Sequence, residues 1–337
     1  MTETKTAWEQ EYWAARRGVA LSPFPPRGIL RLTGADALDL LHRLSTQHLL
    51  SLHPGAGAAT VLTNEKGRVL DLLTVLRFDT HLFVLTSHGN QGAVRAWIEK
   101  YTITEDVETV DVTESTAVLS LFGAHAANVV ERGVGSTAAS LAPYHHAPVS
   151  LDGVPATAVR LPAPVEPGYA LIVDAASATN VRDALLKAGV VDMSPDTFEA
   201  LRVEAGIPAF GHEFDERYNP LEARLKDHIS WNKGCYIGQE VVARLDTYDK
   251  VQRHLRGLLF SPDSPIPAVE THVEAGGKEA GHVTSSAYSP SFKRPIALAL
   301  VRRAYAAPET RLTVRTSPTI EVEVVDLPFA VAASTGS

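Results

Sequence analysis

Lys233-Gly-Cys-Tyr-Ile-Gly-Gln-Glu240 contains the single cysteine of this 337-residue chain, Cys235. Lys233 precedes it by two positions, Gly234 removes side-chain bulk beside it, and Gly238-Gln-Glu-Val-Val-Ala-Arg244 reads as the opening of a helix. An isolated cysteine is most often a small buried hydrophobe. A cysteine just ahead of a helix amino terminus and close to an ammonium instead favours the thiolate. The segment therefore reads either as an inert core thiol or as a nucleophile or soft-metal ligand. An iron–sulfur cluster typically takes four thiolates, so Cys235 supplies at most one ligand to a shared or transient site.

Outward from this segment the chain alternates strand and helix signals. Upstream, Gly28–Leu32 reads as a strand, and Gly34-Ala-Asp-Ala-Leu opens a helix with Leu38, Leu41 and Leu44 on one face. Segments 58–63 and 68–78 read as a hairpin closed by Asn64-Glu-Lys-Gly67, followed by a strand over 81–86 and a helix over 91–101. Strand-then-helix recurs at 117–132 and at 169–188, and 195–205 is a further helix. From about residue 254 short strand-like runs (255–260, 281–285, 296–301, 312–316, 320–325) are separated by Pro, Gly and Ser, the pattern of a small β-barrel. The expected organisation is a lead-in segment over 1–27, an α+β region of two linked parts over 28–253 and a barrel over 254–330, with the last six residues frayed.

Composition bounds the partners. With 45% hydrophobic residues the chain is globular, and its net charge of −8 makes nucleic acid an unexpected direct partner. One cysteine allows no intramolecular disulfide. The amino terminus has no apolar signal core, and no run approaches the roughly 20 apolar residues of a membrane helix, so the expected location is the cytoplasm.

Other candidates carry two readings each. Asp71 is a carboxylate in a strand, in phase with Val69, Leu73 and Val75; it either accepts backbone hydrogen bonds or faces solvent or a ligand. Arg202 either pairs with Glu199 on its own helix or holds an anion. Glu166 is either a solvated loop acid or a recognition carboxylate. Gly55-Ala-Gly-Ala-Ala-Thr60 lacks the third glycine of a dinucleotide loop, and His145-His146 lacks metal-site spacing, so no metal is expected. Trp8, Tyr12 and Trp13 read as a packing stripe.

The pattern Lys233, Gly234, Cys235, Tyr236, Gly238, Gln239 and Glu240, with Arg244 four residues on, resembles the signature of YgfZ-type folate-binding proteins, relatives of the glycine-cleavage T-protein. Leu201-Arg-Val-Glu-Ala-Gly206, Asn219-Pro-Leu-Glu-Ala223 and Gly67-Arg-Val-Leu-Asp71 are similar to segments of the same superfamily, and the likeness runs from about residue 28 to 328. It implies a T-protein-like folate-binding body followed by a barrel. It also implies tetrahydrofolate or a one-carbon derivative as cofactor. The resemblance places Asp71, Glu166, Tyr169 and Arg202 against the folate and Lys233, Cys235 and Asp71 in the chemistry. Arg160, Glu166, Gly168 and Tyr169 match the family's pterin-reading segment, while Ala163 and Val165 replace its Tyr and first Gly. T-proteins carry an Asp-Asp pair where this chain has Asp71-Leu72. The implied function is a folate-dependent accessory role in iron–sulfur cluster assembly or repair, supporting enzymes such as tRNA-modifying radical enzymes, with client or assembly proteins as partners. Aminomethyl transfer and plain folate binding without turnover are the alternatives.

Overall fold

The computed structural model describes residues 7–22 and 27–330. Three sheets organise them. The first has five strands in the order Gly57–Thr63, Val69–Arg77, Leu82–Leu85, Ile29–Thr33, Glu108–Asp111. Helices Ala37–Leu44 and Gln91–Tyr101 cover one face, because Leu40, Leu41 and Leu44 on one and Val94 and Ile98 on the other form apolar stripes that bury against Leu30, Leu73 and Val75.

The second sheet runs Val191–Asp192, Ala20–Leu21, Thr116–Phe122, Gly168–Asp174, Val154–Arg160, His146–Leu151. Helices Ala126–Val134 and Ala178–Lys187 pack on one face through Val129, Val130, Val181 and Leu185. The two sheets meet through their other faces: Leu76 and Leu85 of the first pack on Val159, Ala170 and Ile172 of the second.

Strands Arg253–Leu259, Arg294–Arg302, Lys278–Ser289, His272–Ala275, Arg311–Val314 and Ile320–Val325 close into a barrel with its own core of Val283, Ala299, Val301, Leu312 and Val322. Mixed α+β parts followed by a closed six-stranded barrel are the architecture anticipated above. Helix Pro195–Ala205 joins the parts. Its Val203 packs on Leu255, Ile296 and Leu298 of the barrel, and its Leu201 on Tyr12, Ala15 and Phe122.

The amino-terminal expectation needs correction. Residues 7–21 are no separate lead-in: Ala7–Arg17 is a helix, and Ala20–Leu21 is an inner strand, parallel to Val191–Asp192 and antiparallel to Thr116–Phe122. Tyr12 is fully buried and its hydroxyl donates to Glu204 at 2.7 Å, which ties the helix to Pro195–Ala205. Residues 1–6, the proline run 23–26 and the supposed frayed tail lie outside the described residues.

Candidate functional site

Two buried side chains frame an exposed thiol in the segment 233–238. Lys233 is 7% exposed and its Nζ donates to three backbone carbonyls, those of His42 (2.5 Å), Ser45 (2.6 Å) and Gln47 (3.0 Å), at the carbonyl end of helix Ala37–Leu44. Burial pushes its pKa down to about 8. Tyr236 is buried too; its ring lies 5.2 Å from the ammonium, and burial pushes the phenol up to about 12. Gly234 and Cys235 between them are exposed. An ammonium has three N–H donors, and all three of Lys233's are spent on carbonyls, which leaves none to bond the thiol.

A second clasp holds the far side of the loop. The Ile237 N–H donates to the Arg43 carbonyl at 3.1 Å, and Thr63 Oγ1 donates to the Ile237 carbonyl at 2.5 Å. Gly238 then starts helix Gln239–Thr247 in a left-handed conformation, φ +82°, where a Cβ would stand 2.4 Å from the Asn64 carbonyl oxygen and 2.9 Å from Gly67 Cα. The motif glycine is thus required by a close approach to the hairpin turn Asn64–Gly67. Sequence reading found both turn and motif separately; their contact spans about 170 residues and left no local signal. Gln239 is half-buried, and Glu240 and Arg244 are exposed on the helix.

Asp71 is fully buried on strand Val69–Arg77, and donors surround it: the backbone N–H of Leu72 (2.8 Å) and of Ser87 (3.0 Å), the Ser87 hydroxyl (2.6 Å) and Asn90 Nδ2 (3.0 Å). Burial raises its pKa, and the hydrogen bonds from Ser87, Asn90 and Leu72 pull against that without cancelling it. Asn90 precedes helix Gln91–Tyr101, so Asp71 is tied to that helix start rather than turned toward a ligand.

The expected phasing with Val69 fails because the strand is bulged. Leu62 pairs with Asp71 and Thr63 with Val69, which leaves Leu70 extra. Val69 therefore joins Val61 and Phe214, whereas Leu73 and Val75 lie under the helices. Leu72 and Leu76 take the opposite face of the strand from Asp71: Leu76 packs where the two sheets meet, and Leu72 against Val61, Phe214 and Leu225.

Arg202 and Tyr169 are also structural. Arg202 is 3% exposed and spends all five donors: on both oxygens of Glu199, on the Ile207 carbonyl (2.6 Å), on Glu213 (3.0 Å) and on Ser285 Oγ of the barrel (2.5 Å). Burial opposes its charge, but Glu199 and Glu213 outweigh it and hold the guanidinium pKa above its ordinary value. No donor remains for a folate carboxylate. Tyr169 is 1% exposed in the second sheet's core, its hydroxyl donating to the Ala139 carbonyl at 2.7 Å.

Glu166 keeps the character of a recognition carboxylate. Its side chain is 53% exposed, yet it is oriented: Arg160 Nη2 donates to Oε2 at 2.8 Å and the Ala163 N–H to Oε1 at 2.9 Å. Each oxygen retains lone-pair capacity for a further donor.

A cleft of about 690 Å³ lies between the hairpin turn, helix Gln91–Tyr101 and residues 210–217, lined by Leu70, Val94, Trp97 and Phe210 among others; none of Asp71, Glu166, Arg202, Lys233 or Cys235 lines it. Among the described residues no three His, Cys, Asp or Glu side chains could hold a metal ion together, and no helix is long and apolar enough to cross a membrane.

Comparison with known proteins agrees with this architecture. The family model of the GCVT N-terminal domain matches residues 2–233, and that of the glycine cleavage T-protein C-terminal barrel domain matches residues 253–330. An aminomethyltransferase of Thermosynechococcus vestitus is 30% identical over 292 residues, 87% of this chain and 79% of that protein. A chloroplastic protein of Arabidopsis thaliana, provisionally named a transferase, is 30% identical over 272 residues; the match takes in 80% of this chain but only 62% of the plant protein. The crystal structure of the glycine cleavage system aminomethyltransferase T from Bartonella henselae shares the fold, with a TM-score of 0.84 over 95% of this chain and 89% of that one at 22% identity. The chain belongs to the glycine cleavage T-protein family.

Proposed function

We propose that this protein binds a reduced folate, tetrahydrofolate or a one-carbon derivative. The observation that carries this reading is Glu166: an exposed carboxylate held in place by Arg160 and the Ala163 N–H, able to accept the two parallel N–H bonds of an aminopyrimidinone ring. A bound folate would supply the nitrogen that carries the one-carbon unit; the chain's own part is to orient the ring. In a calorimetric titration with tetrahydrofolate we expect wild type to bind and Glu166→Ala to bind at least about tenfold more weakly, the scale of one lost charge-assisted pair. Wild type that takes up no heat at millimolar ligand ends the reading.

Of the activities such binding could serve, folate-dependent aminomethyl transfer has the support of relatives named aminomethyltransferase. Its direct assay is methylene-tetrahydrofolate formation from an aminomethyl-lipoyl carrier protein, and absence of turnover rejects it. One observation favours a second reading. Leu72 packs beside Val61 and Phe214 at the position where the resemblance to T-proteins implies a second acid, while Cys235 is presented to solvent by a doubly clasped loop. That combination suits the YgfZ-type accessory role, in which the folate-bound protein serves iron–sulfur client or assembly proteins. Under this reading Cys235→Ala folds normally but does not restore cluster-enzyme activity in cells lacking the native protein; full restoration removes the thiol from the mechanism.

A further inference from the structure

We infer that Lys233 is the positioning residue of the motif loop: its ammonium, seated on the carbonyl end of helix Ala37–Leu44, holds Gly234 and Cys235 out to solvent in one conformation and takes no part in the chemistry of the thiol. The three acceptors are the backbone oxygens of His42, Ser45 and Gln47. Carbonyls at a helix end carry partial negative charge and lack intrahelical partners, so they can satisfy a buried cation without a carboxylate.

The second clasp lies on the other side of Cys235: the Ile237 N–H meets the Arg43 carbonyl at the same helix end, and Thr63 Oγ1 at the end of strand Gly57–Thr63 meets the Ile237 carbonyl. Two pins on either side of a two-residue exposed stretch leave it little freedom. The requirement for lysine follows: a long unbranched stem reaches the helix end from under Gly234, and a compact ammonium with three donors suits three carbonyls that diverge around it. The planar fork of arginine does not match that arrangement.

The inference gains its functional meaning from Cys235 as the group the loop presents, but its test needs no folate and fails separately from the titration. Because Cys235 is the sole cysteine, alkylation reads it alone. Lys233→Met should speed hydrogen exchange of the Ile237 amide by about tenfold or more. It should leave the midpoint of the alkylation–pH profile where wild type has it. An ammonium acting on the thiol predicts the reverse: a midpoint raised by about one pH unit or more, since an opposite charge at contact distance has that effect, with exchange unchanged. That outcome overturns the inference. Should Lys233→Met fail to fold, wild type and Thr63→Val decide. The Ile237 amide in wild type, bonded to the Arg43 carbonyl, must exchange far more slowly than a free peptide, and loss of the Thr63 hydroxyl must speed it; free-peptide exchange at Ile237 in wild type refutes the two-pin loop.

Discussion

Arg202 shows how much a single residue's role depends on what surrounds it. In the sequence it is an arginine in a helix, three positions after an acid, and equally fit to hold an anion. In the fold it links helix Pro195–Ala205 to Glu213, which is fully buried, and to Ser285 in the barrel. Removing one partner of a buried ion pair leaves an uncompensated charge, which costs about 3–5 kcal/mol. Arg202→Met should therefore lower the urea midpoint by that much stability, with unchanged slope, while weakening folate binding little in the fraction that folds. A cost below about 1 kcal/mol, with lost binding, would return Arg202 to the ligand. Asp71 and Leu72 teach the same lesson. The sequence reads which acid is present, but the bulge at Leu70 decides which face it occupies. Glu166, by contrast, sits in a loop whose local sequence already contains both of its holders, Arg160 and Ala163.

Several elements with a full period of side chains were legible, though strands His146–Leu151 and Val154–Arg160 and helix Ala7–Arg17 were not. Helices Gln91–Tyr101 and Pro195–Ala205 and strand Ile320–Val325 begin and end where the spacing places them. Ala20–Leu21, Glu108–Asp111 and Val191–Asp192 were not, because two to four residues carry no readable alternation and are extended only because neighbouring strands pair with them. The motif's two glycines, alike in sequence, separate at this scale. Gly238 has φ +82° and a carbonyl oxygen 2.4 Å from where a Cβ would stand, whereas a Cβ on Gly234 meets nothing within 4 Å. Thermal and chemical melts should show Gly238→Ala losing about 1–3 kcal/mol and Gly234→Ala changing by less than about 0.5 kcal/mol. Equal effects would mean that the turn Asn64–Gly67 does not press on the motif.

For the whole molecule, the seam between the two sheets has a distinctive chemistry. His146 at the edge of the second sheet is 6% exposed, its ring lies 4.3 Å from Phe78 of the first part, and its Nδ1 has no hydrogen-bond partner among the described residues. Burial, with His145 and His81 adding to it, pushes its pKa down to about 4. The folded state thus prefers the neutral ring. The stability this contributes is present above the unfolded value of about 6.5 and is lost as pH falls through the folded value of about 4, amounting to about 3 kcal/mol when complete. Urea midpoints measured from pH 7 to 4 should fall more steeply for wild type than for His146→Phe; parallel curves would remove His146 from the acid response.

The sequence by itself determined the α+β body, the barrel after it and the segment that presents the cysteine, because periodicity and short motifs are local properties of the chain. The tertiary structure alone decided that Ala7–Arg17 packs as a helix on Pro195–Ala205 and Ala20–Leu21 joins the second sheet, that Lys233 caps a helix end, and that Asp71, Tyr169 and Arg202 are held inside. Each of these depends on partners far away in sequence, whose hydrogen bonds and burial exist only once the parts have packed.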